Sequence, residues 1–138
     1  PRLEVSSWDE VGEFSQKDRR LVLKVSGFSD LAWGSRGVMI GHDEPLERWR
    51  TAVNDAQSQF MIQPRVMQEF KETKLVEHPY FEPKTGEIRT MEGRVRLCPY
   101  YFVSQEGQSS LGGCLATIVP ADKKKIHGMR DGILVPCM

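Results

Sequence analysis

A lysine followed by a glycine-rich loop is the first group of residues that could do chemistry. Lys24 lies in the apolar run LVLKV, where alternation puts Leu21, Leu23 and Val25 on one face of a strand and the lysine on the other. The loop offers backbone N–H groups that can turn toward an anion at Gly34, Ser35, Arg36 and Gly37. The pattern predicts a phosphate cradle. An ordinary hairpin with one solvated face would show the same pattern, and this alternative stays open.

Two arginines form the second group. They lie in GRVRLCPYYFV, residues 93–103, where strand alternation puts Arg94 and Arg96 on one face. Guanidinium groups at that spacing make a fork suited to phosphate or carboxylate. The alternative is a cross-strand ion pair with Glu77, Glu87 or Glu92.

A third, weaker pattern lies near the end of the chain. His127 and Asp131 are four residues apart, a spacing that lets two side chains share a helix face and bind a metal ion. Gly128 and Gly132 disfavour a sustained helix there. Asp131 is therefore kept as a candidate metal ligand, and the metal site as a whole is not predicted from these residues.

Charge and cysteine content restrict the class of protein. The chain of 138 residues has zero net charge from 19 basic and 19 acidic residues, so no global field attracts nucleic acid or an anionic membrane. No apolar run has the length needed to cross a bilayer. Three widely spaced cysteines without CxxC argue against structural zinc and a disulfide framework, and Cys114 is expected in the core. A cytoplasmic protein is expected.

These residues need an α+β framework to position them. Trp8, Val11 and Phe14 predict a short helix capped by Ser6 or Ser7, followed by strands at residues 19–26 and 37–41. An amphipathic helix then carries Leu46, Trp49, Val53 and Phe60, with Pro45 in its first turn and Asp43 as its cap.

The second half of the chain predicts a mostly antiparallel sheet. Strands are expected at residues 65–70, 75–81, 88–91, 93–103 and 111–119, with a hairpin signal at Pro83 and Gly86. One domain spanning residues 1–138 accounts for all of these elements. The first residue is proline and the last residues are Pro136, Cys137 and Met138, so the domain is expected to be a fragment of a longer protein.

A strand lysine followed by a flexible glycine-rich loop resembles the ATP-grasp superfamily. The whole chain resembles the C-terminal part of a bacterial family of predicted ATP-grasp-like proteins, circularly permuted and similar to glutathionylspermidine synthases. The segments that carry this resemblance are LKVSGFSDLAWGSRGVMIGHD, MQEF, GRVRLCPYYFV and PADKKKIHGMRDGILVPC. The resemblance implies an ATP-grasp-like fold that binds ATP with Mg²⁺, in a ligase that phosphorylates a carboxylate and joins it to an amine or thiol.

The resemblance also implies roles for particular residues. Gln68, Glu69 and Phe70 would form the hinge that holds adenine, through backbone N–H and C=O groups and a carboxylate near the ribose. Arg94 and Arg96 would lie near the γ-phosphate or an acyl-phosphate intermediate. The Asp…Glu-x-Asn set that holds magnesium in ATP-grasp enzymes is missing from this sequence.

Two other functions stay open at this point. A non-catalytic module with an ATP-grasp-derived fold could use the sheet to bind another protein or the remainder of the full-length chain, and an exposed apolar surface would favour it. In the third reading the glycine loop is purely structural and the chain binds no nucleotide.

Overall fold

The computed structural model describes residues 4–26, 29–32, 35–126 and 131–137. The chain divides into two compact units, Pro1–Lys71 and Glu72–Met138. Every strand pairing in the described residues is antiparallel, and helices are few, which confirms the predicted α+β class. None of the helices in these ranges combines the length and apolar character needed to span a membrane. The expectation of a single ATP-grasp-like domain stays a prediction.

The first unit pairs a three-stranded sheet with two helices. The sheet has the order β2-β1-β3, with β1 in the centre. Its elements in chain order are α1 (Trp8–Gly12), β1 (Leu21–Val25), β2 (Val38–Ile40), α2 (Leu46–Ser58) and β3 (Arg65–Glu69). Two short 3-10 helices, Asp30–Ala32 and Gly41–Asp43, flank β2.

The burial of β1 follows the alternation of its sequence. Leu21, Leu23 and Val25 are buried, while Val22 and Lys24 are half-buried on the other face. Apolar residues on one face of a strand lose contact with water when a helix covers that face. The predicted separation of Lys24 from the core is therefore confirmed.

The two helices supply the rest of this core. Trp49 and Val53 on α2 are fully buried against Val11 of α1 and the apolar face of β1. The indole Nε1 of Trp49 donates a hydrogen bond of 2.8 Å to the Val11 carbonyl oxygen. Helix α1 begins after Ser7, whose hydroxyl accepts a hydrogen bond from the Glu10 backbone N–H, as predicted for a cap.

The second unit is a four-stranded antiparallel sheet in the order β4-β5-β6-β7. Its strands are β4 (Leu75–Glu82), β5 (Glu87–Val103), β6 (Ser109–Pro120) and β7 (Ile133–Cys137). The hairpin between β4 and β5 turns at Gly86, which has a φ of 72°. The two strands predicted at residues 88–91 and 93–103 are one continuous strand, and β7 was not predicted.

Candidate functional site

Lys24 and Gln68 lie on the same face of the first unit's sheet. In the β1–β3 register Lys24 is opposite Val66, and Val22 is opposite Gln68. Directly opposite residues share a face, so Lys24 and Gln68 are diagonal neighbours two residues apart along the strands. The sheet therefore brings together two of the residues that the sequence predicts to bind nucleotide.

The ammonium of Lys24 has no counter-ion in the part of the chain that the structure describes. The side chain is half-buried, yet it makes no hydrogen bond or ion pair with a described residue. A cation that is partly removed from water without a partner has lost hydration, and an anion bound beside it restores that stabilisation. Lys24 is therefore the described residue that most directly indicates an anionic ligand.

The end of the glycine loop lies beside Lys24. Gly37 accepts a backbone hydrogen bond of 3.0 Å from Val25, the residue after Lys24. A Cβ at Gly37 would lie 2.7 Å from the Leu31 carbonyl oxygen and 2.9 Å from Val25 Cγ2, so the close approach requires glycine here. Ser35 has a φ of 61°, in the left-handed region that suits tight turns. Gly34 lies outside the described residues.

Part of this loop bonds to itself. The Gly37 N–H donates to the Leu31 carbonyl at 2.8 Å, and the Val38 N–H donates to the Ser35 carbonyl at 3.3 Å. These two N–H groups are therefore already bonded to carbonyl oxygens of the same loop. Arg36 is exposed. Any phosphate contact at this end of the loop falls to the remaining groups of Ser35 and Arg36.

In the predicted adenine hinge, residues 68–70, the backbone groups of successive residues point alternately toward β1 and away from it. The Phe70 N–H donates to the Arg20 carbonyl at 2.8 Å, and the Ser26 N–H donates to the Pro64 carbonyl at 2.9 Å. Bonding alternates along an antiparallel pair, so Gln68 also bonds to β1, while the N–H and C=O of Glu69 point away from it. Because β3 is an outer strand of this sheet, the backbone of Glu69 has the orientation that an adenine edge requires.

The side chains of the hinge do not all share the Lys24 face. Glu69 is opposite Leu21 and so lies on the other face, where Lys71 Nζ approaches its carboxylate to 2.6 Å and holds the pKa of Glu69 below its usual range. Phe70 is buried, with its ring edge-on to His42 at 4.9 Å between centroids. The geometry thus gives Phe70 a packing role and separates the Glu69 carboxylate from Lys24.

A groove of about 390 Å³ lies between α2 and the sheet, on the opposite face from Lys24. Its lining combines Arg48 and Arg65 with Glu47 and Asp55. None of the sequence-predicted binding residues lines it. The groove and the Lys24 face are therefore separate features of this unit.

Arg94 and Arg96 lie on β5 of the second unit. Arg94 donates from Nε to the Ala121 carbonyl and from Nη1 to the Thr73 carbonyl, both at 2.9 Å. Arg96 is exposed and makes no hydrogen bond or ion pair with a described residue. Among the described residues neither arginine pairs with Glu77, Glu87 or Glu92, and Glu87 forms an ion pair with Arg89. Arg94 thus ties the strand to its neighbours, and Arg96 keeps its donors available.

The proposed metal ligand gains no companions in the described residues. Asp131 is exposed in the turn before β7, and His127 lies outside the described residues. Across the parts of the chain that the structure describes, no three His, Cys, Asp or Glu side chains form a group that could hold a metal ion. Magnesium bound to a nucleotide takes only one or two protein carboxylates beside phosphate and water, so a full protein cage is not required.

A buried arginine and a cysteine pair are the features that sequence reasoning missed. Arg19 is 3% exposed and donates hydrogen bonds to three backbone carbonyls, those of Phe14, Gly41 and Glu44. Cys114 and Cys137 lie directly opposite each other on β6 and β7. The sequence signal that could have indicated Arg19 is the pair Arg19 and Arg20 directly before an apolar strand. The cysteine pair depends on β7, a strand that was not predicted.

Comparison with known proteins gives no match. No family model matches the chain, and no curated protein or solved structure is significantly similar to it. The assignment of the site therefore rests on its residues, and membership of an ATP-grasp-like family stays a prediction.

Proposed function

We propose that the unit Pro1–Lys71 binds the phosphates of ATP on the Lys24 face of its sheet. The observation that carries the proposal is the half-buried ammonium of Lys24, which has no counter-ion among the described residues. An ammonium is a compact charge with three donors and binds phosphate as a point charge. Gln68 on the same face and the backbone of Glu69 at the sheet edge are the remaining contacts we assign to the nucleotide.

The reaction class follows from the ATP-grasp resemblance. We propose that the nucleotide serves a ligase that joins a carboxylate to an amine or thiol. ATP bound with Mg²⁺ supplies the phosphoryl group for such chemistry. The chain's own residues bind and orient: Lys24 neutralises phosphate charge, Ser35, Arg36 and Gly37 form the end of the loop that limits access of water, and Arg96 offers donors to an anion.

Titration calorimetry with Mg-ATP tests the nucleotide site. We expect Lys24→Met to raise the dissociation constant about tenfold to a hundredfold, because a charge-assisted hydrogen bond contributes about 1.5–3 kcal/mol. Lys84→Met is the matched control, since Lys84 is exposed in the β4–β5 turn of the other unit. Equal affinities for wild type and Lys24→Met, with unchanged circular dichroism, would contradict the assignment of Lys24.

A second candidate function is a non-catalytic interaction module, and the exposed apolar side chains of the second unit favour it. Tyr101, Phe102 and Val103 at the end of β5 are 64%, 65% and 69% exposed, and Leu111 on the paired strand is 59% exposed. Strand alternation and the β5–β6 register put Tyr101, Val103 and Leu111 on one face of the sheet, and exposed apolar surface commonly marks a protein-binding site. If this surface is used, a dye specific for apolar surface binds the folded chain, and a Tyr101→Ser and Val103→Ser double variant binds less dye. Equal dye binding by both proteins would count against the module.

A further inference from the structure

Two cysteines that are 23 positions apart in the sequence meet across adjacent strands of the second unit. In the β6–β7 register Cys114 is directly opposite Cys137, so both side chains lie on the same face. Both are free thiols, Cys114 half-buried and Cys137 exposed. Neighbouring strands, a shared face and one exposed partner place a dithiol within reach of solvent.

The backbone spacing suits a disulfide bond. Directly opposite residues of antiparallel strands have Cα atoms about 4.5–5.5 Å apart. Protein disulfides span Cα separations of about 4.4–6.8 Å. Burial and the neighbouring Cys137 raise the pKa of the Cys114 thiol. Closing the bond therefore requires a side-chain adjustment and no movement of the strands.

We propose that Cys114 and Cys137 form a redox-active pair that a peroxide converts to a cross-strand disulfide. The exposed Cys137 thiolate attacks one oxygen of hydrogen peroxide, the O–O bond breaks, and hydroxide leaves to form water with a proton from solvent. The sulfur of Cys137 is now a sulfenic acid. Cys114 attacks that sulfur, the S–O bond breaks, and the departing oxygen leaves as water with the Cys114 proton and the sulfenic hydrogen. Two thiols are oxidised by two electrons and one peroxide is reduced to two waters.

The third cysteine is a control built into the same sheet. Cys98 on β5 is opposite Leu115, the residue after Cys114, so strand alternation directs its side chain to the other face. The Cys98 thiol therefore belongs to the neighbouring strand and lies on the wrong face for the bond.

Peroxide treatment of the folded chain, followed by thiol alkylation and peptide mass spectrometry, tests the pair. Wild type and Cys98→Ser are expected to lose two thiols each and to yield one cross-linked peptide pair containing residues 114 and 137. Cys137→Ser and Cys114→Ser are expected to yield none. Cross-links through Cys98, or oxidation of Cys137 to sulfinic acid at equal rates with and without Cys114, would overturn the proposal.

The denaturation midpoint provides an independent readout. Strand β7 is at the edge of its sheet, bonded only to β6 among the described strands, so the disulfide ties this edge to the sheet interior. Oxidised wild type is expected to unfold at higher denaturant than the reduced chain, and Cys137→Ser, an exposed substitution that leaves the core intact, is expected to lose that difference. No shift in wild type despite a verified 114–137 cross-link would contradict the tie between β6 and β7.

Discussion

Replacing Trp49 with alanine is expected to lower the free energy of unfolding of the first unit by about 4 kcal/mol. The indole is fully buried in the core cluster between α1, α2 and the apolar face of β1. Its removal leaves a cavity that the surrounding helices and sheet fill only in part. The Val11 carbonyl also loses its 2.8 Å hydrogen bond from Nε1. Urea unfolding followed by far-ultraviolet circular dichroism measures the change.

Two companion variants separate the contributions at Trp49. Trp49→Phe keeps most of the apolar volume and removes the hydrogen bond, so we expect a loss of about 1–2 kcal/mol. Leu46→Ala on the same helix removes a side chain that is 37% exposed and is expected to cost clearly less than Trp49→Ala. Equal free energies of unfolding for Trp49→Ala and Leu46→Ala would contradict the position of Trp49 at the centre of this core.

Replacing Arg19 with leucine is expected to destabilise the same unit by about 3 kcal/mol. The guanidinium is 3% exposed and bonds to the carbonyls of Phe14, Gly41 and Glu44 at 3.3, 3.2 and 2.8 Å. Leucine fills part of the volume but donates nothing, so these carbonyls lose their side-chain partner in a buried setting. The same urea titration measures the effect.

Arg48→Leu is the matched control for Arg19. The Arg48 side chain is 69% exposed and makes one ion pair with Glu44 at 3.2 Å. Exposed pairs of this kind contribute less than about 1 kcal/mol. A loss in Arg19→Leu no greater than in Arg48→Leu would show that the three buried hydrogen bonds contribute little to stability.

The sequence predicted correctly those features that depend on residues close together in the chain. The alternation in LVLKV gave the correct faces of β1, and Ser7 and Gly86 marked a helix start and a hairpin turn. The cap of α2 was predicted wrongly, because Asp43 is held in the 3-10 helix Gly41–Asp43 and Pro45 occupies the cap position instead. Tertiary context there overrides a good capping side chain.

Features that depend on non-local pairing were missed. Strand β7 is short and contains Pro136, which an edge strand tolerates because the missing N–H faces no neighbour. Without β7 the sequence offered no reason to place Cys137 beside Cys114. The hydrogen bonds of Arg19 were likewise missed, because its partners are the backbone carbonyls of residues 14, 41 and 44, and residue type does not show which side chain bonds to a backbone carbonyl.

The candidate site was predictable in part. The sequence named Lys24 and Gln68 separately, and the β1–β3 register adds that they share a face. Alternation within β3 alone already separates Gln68 from Glu69, but only the sheet order indicates that the Glu69 backbone lies at an outer edge. The fork proposed for Arg94 and Arg96 depended on strand spacing, which could not reveal the carbonyls of Thr73 and Ala121 that bond to Arg94.

Amide chemical-shift mapping during a Mg-ATP titration tests the central claim most directly, because it locates the ligand without changing the protein. We predict that the largest shifts occur at Lys24, Gln68 and Glu69 and at the loop end around Gly37, and that ATP causes larger shifts there than AMP at equal concentration. No shifts at saturating Mg-ATP, or shifts confined to strands β4 to β7, would contradict a nucleotide site on the Lys24 face.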